Sequence, residues 1–162
     1  MATAEHHLSN YDPTSVPSGA GRRFALVVSE WNHEITEALR RGAQETLLRH
    51  GVAETDIVEE WVPGSFELAS AAQFILEGGG IDGVICLGSV VRGETPHFDF
   101  VCQGTTQGIM AVGLKHSKPV IFGVLTDDTM QQARDRSGGK HGNKGVDCAV
   151  ALLKMTALKA RY

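Results

Sequence analysis

Five short stretches of this 162-residue chain combine side chains that could do chemistry. They are Trp31-Asn32-His33, Pro63-Gly64-Ser65-Phe66-Glu67, Arg92 to Asp99, Thr126-Asp127-Asp128, and the run from Arg134 to Gly145. His97 is the natural proton carrier, because an imidazole titrates near neutral pH and can both accept and donate. A surface histidine without a task is the alternative. Arg136 carries a planar, permanently charged fork suited to phosphate, unless it is only a helix-end arginine. Gly93, Glu94 and Thr95 could turn consecutive backbone N–H groups toward an anion. Glu67, near a helix start, could balance the helix dipole or accept hydrogen bonds from a heterocycle. Trp31 could stack on a planar ring or cap the core.

The charge pattern points the same way. The net charge is −4, which argues against nucleic acid as the main partner. Yet Arg134, Arg136, Lys140 and Lys144 against Asp135 give +3 locally and leave −7 for the rest. A short basic loop in an acidic protein suits a small anionic ligand. Cys86, Cys102 and Cys148 are widely spaced, with no C-x-x-C pair, and read as small buried thiols rather than as a disulfide, a metal site or a nucleophile. His6 and His7 carry no metal expectation. No apolar run approaches the roughly 18 residues that cross a bilayer, and the N-terminus lacks the pattern of a secretory signal, so a cytoplasmic protein is expected.

These stretches recur at fixed places between periodic segments. Residues 1–21 are polar, rich in Ser, Pro and Gly, without periodicity, and are expected to be a mobile arm before one domain over 22–162. FALVVSE (24–30) has strand length and character. Ile35, Ala38, Leu39, Gly42, Ala43 and Leu47 mark one face of a helix that stops at His50-Gly51. DIVEEWV (56–62) is a second strand, followed by a Pro63-Gly64 turn. Ser65 is expected to N-cap a helix burying Leu68, Ala71, Ala72, Ile75 and Leu76. GVICLGSVV (83–91) is apolar nearly throughout, as a strand covered on both faces should be. A helix from Phe98 to Ser117 is interrupted by Gly104, Gly108 and Gly113, which could let another element approach closely. PVIFGVL (119–125) is a fourth strand, a short helix covers about 128–136, and a last helix carries Val146, Ala149, Val150, Leu153 and Ala157.

Four strand–helix repeats imply an α/β fold of three layers, α/β/α, around a four-stranded parallel sheet. In such sheets ligands bind beyond the carboxyl ends of the strands, where all five chemical stretches fall.

The segments VPGSFELA, LGSVVRGETPHFDFV and HGNKG-V-D, in this order and spacing, resemble the 6,7-dimethyl-8-ribityllumazine synthases of riboflavin biosynthesis, from about Phe24 to the C-terminus. The resemblance implies a flavodoxin-like fold, a homopentamer that in some members packs into an icosahedral shell of sixty subunits, and riboflavin synthase as a further partner. It implies a transferase that condenses 5-amino-6-(D-ribitylamino)uracil with 3,4-dihydroxy-2-butanone 4-phosphate, releasing phosphate and water, with no metal and no organic cofactor. By the same resemblance His97 is the proton-transfer residue, and Arg136 binds phosphate with Glu94 and Thr95 beside it. Ser65, Phe66 and Glu67, with Ser89, Val90 and Val91, hold the uracil and the ribityl chain. Trp31 stacks on the ring, Phe122 comes from a neighbouring subunit, and Lys144 lies in the loop that closes the site. Trp31 stands where the family more often has Phe, and Glu94 adds a carboxylate to the phosphate loop. Riboflavin synthase activity on the same fold, a flavin-binding or shell-forming protein without activity, and a phosphate-binding signalling domain remain as alternatives.

Overall fold

The computed structural model describes residues 7–162, and in it the four apolar runs form one parallel sheet. β1 (Phe24–Ser29), β2 (Ile57–Val62), β3 (Gly83–Val91) and β4 (Val120–Asp127) lie in the order β2-β1-β3-β4. Phe24 pairs with both Ile57 and Gly83, and Val84 pairs with Val120, so the strands run in step. The helices are α1 (His33–Arg49), α2 (Leu68–Gly78), α3 (His97–His116), α4 (Met130–Arg136) and α5 (Lys144–Lys159).

Side chains alternate across β1, and that alternation divides the core. Phe24, Leu26 and Val28 pack with Leu39, Ala43 and Leu47 of α1 and Leu152 and Leu153 of α5. Ala25 and Val27 face the opposite way, toward Leu68, Ala72 and Leu76 of α2 and Ile109 and Val112 of α3. Period-two alternation in a strand with no polar partner until Ser29 therefore makes two apolar layers from one segment. The glycines of α3 serve close packing. A Cβ at Gly104 would meet Phe66 Cε2 at 2.6 Å, and one at Gly108 would meet Ala69 Cβ at 2.8 Å.

Three local features depart from what the sequence alone suggests. Ser65 does not cap α2: residues Ser65–Glu67 form a 3-10 turn that leads into the helix, and Ser65 Oγ is buried without a partner. The Gly-rich loop is a small antiparallel ribbon of β5 (Ser137–Gly139) and β6 (Gly142–Asn143). Of the expected arm, residues 1–6 lie outside the described residues, while Leu8 and Val16 are buried against the domain. There the Leu8 N–H donates to His141 O at 2.8 Å, and the Asn143 N–H to Ser9 Oγ at 2.9 Å. Two apolar side chains spaced eight apart show no period, so their burial is set by distant contacts. Cys86 and Cys148 are buried, and burial pushes both thiols up, whereas Cys102 is half-buried.

Candidate active site

The connection after β1 leads to one side of the sheet and that after β3 to the other face, so a crevice opens where β1 and β3 lie side by side. Asn32 bridges this crevice, taking a left-handed conformation (φ 57°) and donating from Nδ2 to Ser89 O at 2.9 Å. Its neighbour Trp31 is 73% exposed, a costly position for an indole with no partner. Trp31 stands over the β2–α2 connection: a Cβ at Gly64 would lie 3.7 Å from Trp31 Cδ1 and 3.1 Å from Glu67 Oε2. Phe66, also exposed, leans on α3 at Gly104, and Thr105 Oγ1 donates to Ser65 O at 3.2 Å. Two exposed rings, Glu67 and the end of β3 therefore share one edge. Ser29, Ser65 and Ser89 bring buried hydroxyls to it that find no partner among the described residues.

At the end of β3, Val90 and Val91 are half-buried, and beyond them the chain turns outward. The Arg92 N–H donates to Asp127 O at 2.9 Å, which ties this turn to the end of β4. The Arg92 guanidinium lies 4.1 Å from the centre of the Phe98 ring and pairs with Asp128 at 2.9 Å and Asp99 at 3.2 Å. Glu94, Thr95 and His97 are exposed, and His97 is the first residue of α3, its N–H 3.4 Å from Thr95 Oγ1. The first turn of α3 thus sets the positive end of a 20-residue helix beside an imidazole, its N–H groups at His97, Asp99 and Phe100 turned to Thr95 Oγ1 and Pro96 O.

The fourth strand end carries the cations. Thr129 and Gln132 form a capping box that fixes the start of α4, and Arg136 closes that helix. Arg136 Nη1 donates to Gln132 O at 3.1 Å and lies 3.5 Å from Asp127 Oδ1. Lys144 opens α5 and pairs with Asp147 at 2.5 Å. Burial works against the Lys144 charge, but Asp147 outweighs it and holds the ammonium above its ordinary value. Gly145 is required behind it, since a Cβ there would lie 1.9 Å from Leu39 O. Asn143 caps α5 through Gly145 N at 2.8 Å and donates to Ala38 O at 2.8 Å. The HGNKG run is thus a locking device as much as a binding one. Leu8, Asp127, Asp128, Gln132, Arg136 and Lys144 help to line an open cleft of about 370 Å³.

Most of the residues singled out in the sequence stand along this edge. Phe122 does not: it pairs with Cys86 in the middle of β4 and packs, half-buried, on the α2–α3 side. Two residues at the edge have no role of their own in the sequence reading: Ser29, and Asp127, which stands there only within the Thr126-Asp127-Asp128 stretch. Asp127 is 7% exposed and its Oδ2 has no partner. Burial pushes its carboxyl up; Arg136 pulls it down, and Asp128 and Asp135 add to the rise. The available signal is a carboxylate ending an otherwise apolar strand, which burial alone would disfavour. Among the described residues no three His, Cys, Asp or Glu side chains gather as metal ligands, and no helix is long and apolar enough to cross a membrane.

Residues 21–160 match the family model described as 6,7-dimethyl-8-ribityllumazine synthase. The chain is 55% identical to a 6,7-dimethyl-8-ribityllumazine synthase of Porphyromonas gingivalis, across 98% of this chain and 99% of that protein. Proteins of the same name from Phocaeicola vulgatus and Cytophaga hutchinsonii are 51% and 52% identical, covering 99% and 97% of this chain and 96% and 98% of theirs. The four-stranded parallel sheet between helical layers and the near-complete match over the whole length agree: the chain belongs to the 6,7-dimethyl-8-ribityllumazine synthase family.

Proposed function

We propose that this chain carries out the reaction for which its family is named, condensing 5-amino-6-(D-ribitylamino)uracil with 3,4-dihydroxy-2-butanone 4-phosphate to 6,7-dimethyl-8-ribityllumazine. The observation that carries this reading is a single sheet edge holding exposed rings at one end and Arg136 and Lys144 at the other, with His97 on the helix start between β3 and α3. The reaction needs an amine to attack a ketone, phosphate to leave and a ring to close. Each step depends on orientation and proton transfer more than on a strong nucleophile.

In this scheme Trp31 and Phe66 stack on the uracil, and Ser65, Glu67, Ser89, Val90 and Val91 hold its polar edge and the ribityl chain. The unpartnered Ser65 and Ser89 hydroxyls fit such a task, because a buried hydroxyl is costly until something bonds to it. Arg136 and Lys144 take the phosphate with the backbone around Glu94 and Thr95, and Arg136 steadies the charge as phosphate departs. His97 removes the proton from the attacking amine and returns one to the leaving oxygen. No protein nucleophile enters. Mixing the purified chain with both substrates, with no metal added, is expected to give the absorbance and fluorescence of the lumazine; no product over background would overturn the reading.

The family acts on small molecules and assembles as homo-oligomers. We take the assembly here to be a ring of five, with Phe122 completing the site of a neighbouring subunit, in the cytoplasm, with a sixty-subunit shell and riboflavin synthase as further expectations. Phe74, Phe100, Met110 and Leu114 are each more than 60% exposed on α2 and α3, apolar surface that a second copy would remove from water. Light scattering on the purified chain reads the subunit number, and a fully active monomer would sink the shared site.

A further inference from the structure

Each acid around the Arg136 end of the cleft has a cation of its own, with one exception. Asp128 is held by Arg92 at 2.9 Å, Asp135 by Lys140 at 3.2 Å and Asp147 by Lys144 at 2.5 Å. Among the described residues Asp127 has only Arg136, and only loosely, at 3.5 Å through one oxygen. The other oxygen is buried without a partner, and the side chain is 8% exposed. It has no retreat, because its main chain is fixed by the Arg92 N–H at 2.9 Å and by the β3–β4 ladder, where it pairs with Val91. Among the described residues the charges that act on it are Arg136 and Asp135 from α4 and Asp128 beside it, while Arg92 binds its main chain and Lys144 lines the same cleft. Gln132 and Leu8 are neutral.

We infer that Asp127 is an internal counter-ion for Arg136 that a phosphate-like dianion displaces, and that it then takes up a proton from solvent, so that anion binding here is coupled to protonation. The inference deepens the phosphate role assigned to Arg136 and stands on it. A dianion brought to Arg136 shares the charge that Asp127 depends on and repels it. A buried carboxylate with one unmet oxygen and a weakened partner loses less by becoming neutral than by staying charged. Burial already biases Asp127 toward the neutral form, with Asp128 and Asp135 adding to that bias against Arg136. The bound state then holds more protons than the free one. Affinity is greatest below the free-state value of Asp127 and is lost as pH rises through its higher, bound-state value. Re-ionisation at neutral pH gives the site a means of expelling the phosphate that the reaction releases.

Sulfate is the probe, because it stays doubly charged from pH 5 to 8 and contributes no proton of its own. Its affinity is measured on the purified full chain at pH 5.0 and 7.5, for wild type, Asp127→Asn and Arg136→Ala. The amide keeps an acceptor for Arg136 Nη1 and removes the charge. Asp127→Asn is expected to bind sulfate about tenfold tighter than wild type at pH 7.5, a modest fraction of the repulsion between charges a few ångströms apart at an effective dielectric constant of about 20. The gap should shrink at pH 5.0. Equal or weaker binding by Asp127→Asn at pH 7.5, or a gap that ignores pH, overturns the inference. If Arg136→Ala loses sulfate while Asp127→Asn behaves as wild type, only the counter-ion fails; if Arg136→Ala keeps wild-type affinity, the phosphate reading of Arg136 fails with it. Should Asp127→Asn not fold, calorimetry of wild type in two buffers of unequal ionisation heat counts protons directly at steps from pH 4.5 to 7.5. Uptake is expected within that range, and none at any step would overturn the inference.

Discussion

The interior of the sheet and its carboxyl edge are built to opposite rules. From Phe24 to Val28 every side chain of β1 is apolar and fully buried, and the buried hydroxyls in the helices around it are satisfied. Thr46 donates to Gly42 O at 2.7 Å and Thr156 to Leu152 O at 2.8 Å. One residue further along β1 the rule changes. Ser29, Ser65, Ser89 and Asp127 each bury an oxygen with no partner, while Trp31 and Phe66 expose their rings. Unmet polar atoms and uncovered rings are tolerable together where a ligand with both a polar and a planar part will supply the missing contacts. The difference teaches that the interior is responsible for stability and that the edge gives some of it up for binding.

The contrast is broken most directly from the interior. Leu26→Ala in β1 removes a fully buried side chain between α1 and α5 and is expected to cost about 2–5 kcal/mol. Thermal or denaturant unfolding measures it, and the rate per folded molecule should be unchanged. A loss of turnover with intact stability would show that the interior is not separate from the site. At the edge the outcome should invert. His97→Ala is expected to slow condensation roughly ten- to a thousandfold, with the melting temperature nearly unmoved, since the imidazole is exposed. An unchanged rate removes His97 from the chemistry. Arg136→Ala should weaken the sugar phosphate by about ten- to a hundredfold, the loss of one charge-assisted contact, and spare the uracil. Steady-state KM values for the two substrates separate these cases, and equal weakening of both would make Arg136 a structural residue.

How much of this contrast is readable in the sequence depends on the range of the interactions that create it. The apolar runs that became β1 and β3 announce themselves, because burial on both faces leaves no place for polar side chains, whereas the edge strand β2 carries exposed Glu59 and Glu60. The faces of α1 and α5 are equally plain from their spacing, although on α5 the buried stripe takes in Cys148, Leu152 and Thr156 as well as Ala149, Val150 and Leu153. That the strand ends hold the site also follows, since only there do Trp31, Phe66, His97 and Arg136 interrupt the pattern. What local pattern does not carry is partnership. Ser65 has the residue type of a helix cap, and only the packing of Gly88 beneath it, where a Cβ would lie 2.5 Å from Ser65 Oγ, turns that hydroxyl into an unmet group. Leu8 is buried through a hydrogen bond to His141, far along the chain, and Asp127, visible in the sequence as a carboxylate at a strand end, is set apart from Asp128 and Asp135 only when these are seen to have cations of their own.

The smallest expected effect is the most discriminating, because it sets a bonded hydroxyl against an unbonded one at the same residue pair. Thr105 Oγ1 in α3 donates to Ser65 O at 3.2 Å, so it is a satisfied interior group; Ser65 Oγ, one residue's width away, is not. Thr105→Val removes a made hydrogen bond, while Ser65 O keeps the one from the Leu68 N–H, and should cost about 0.5–1.5 kcal/mol. Ser65→Ala removes an oxygen that already lacks its bonds, so the desolvation penalty disappears with it and stability should stay level or rise by up to about 1 kcal/mol. Substrate binding should move the other way, with Ser65→Ala raising KM for the ribitylaminouracil while Thr105→Val leaves it nearly alone. Unfolding and KM measured on the two variants give a crossed pattern if the edge withholds hydrogen bonds for its ligand. If Ser65→Ala loses as much stability as Thr105→Val and binds the uracil as before, the unmet hydroxyl is satisfied in solution, and the distinction between interior and edge fails at the residue where it is drawn most finely.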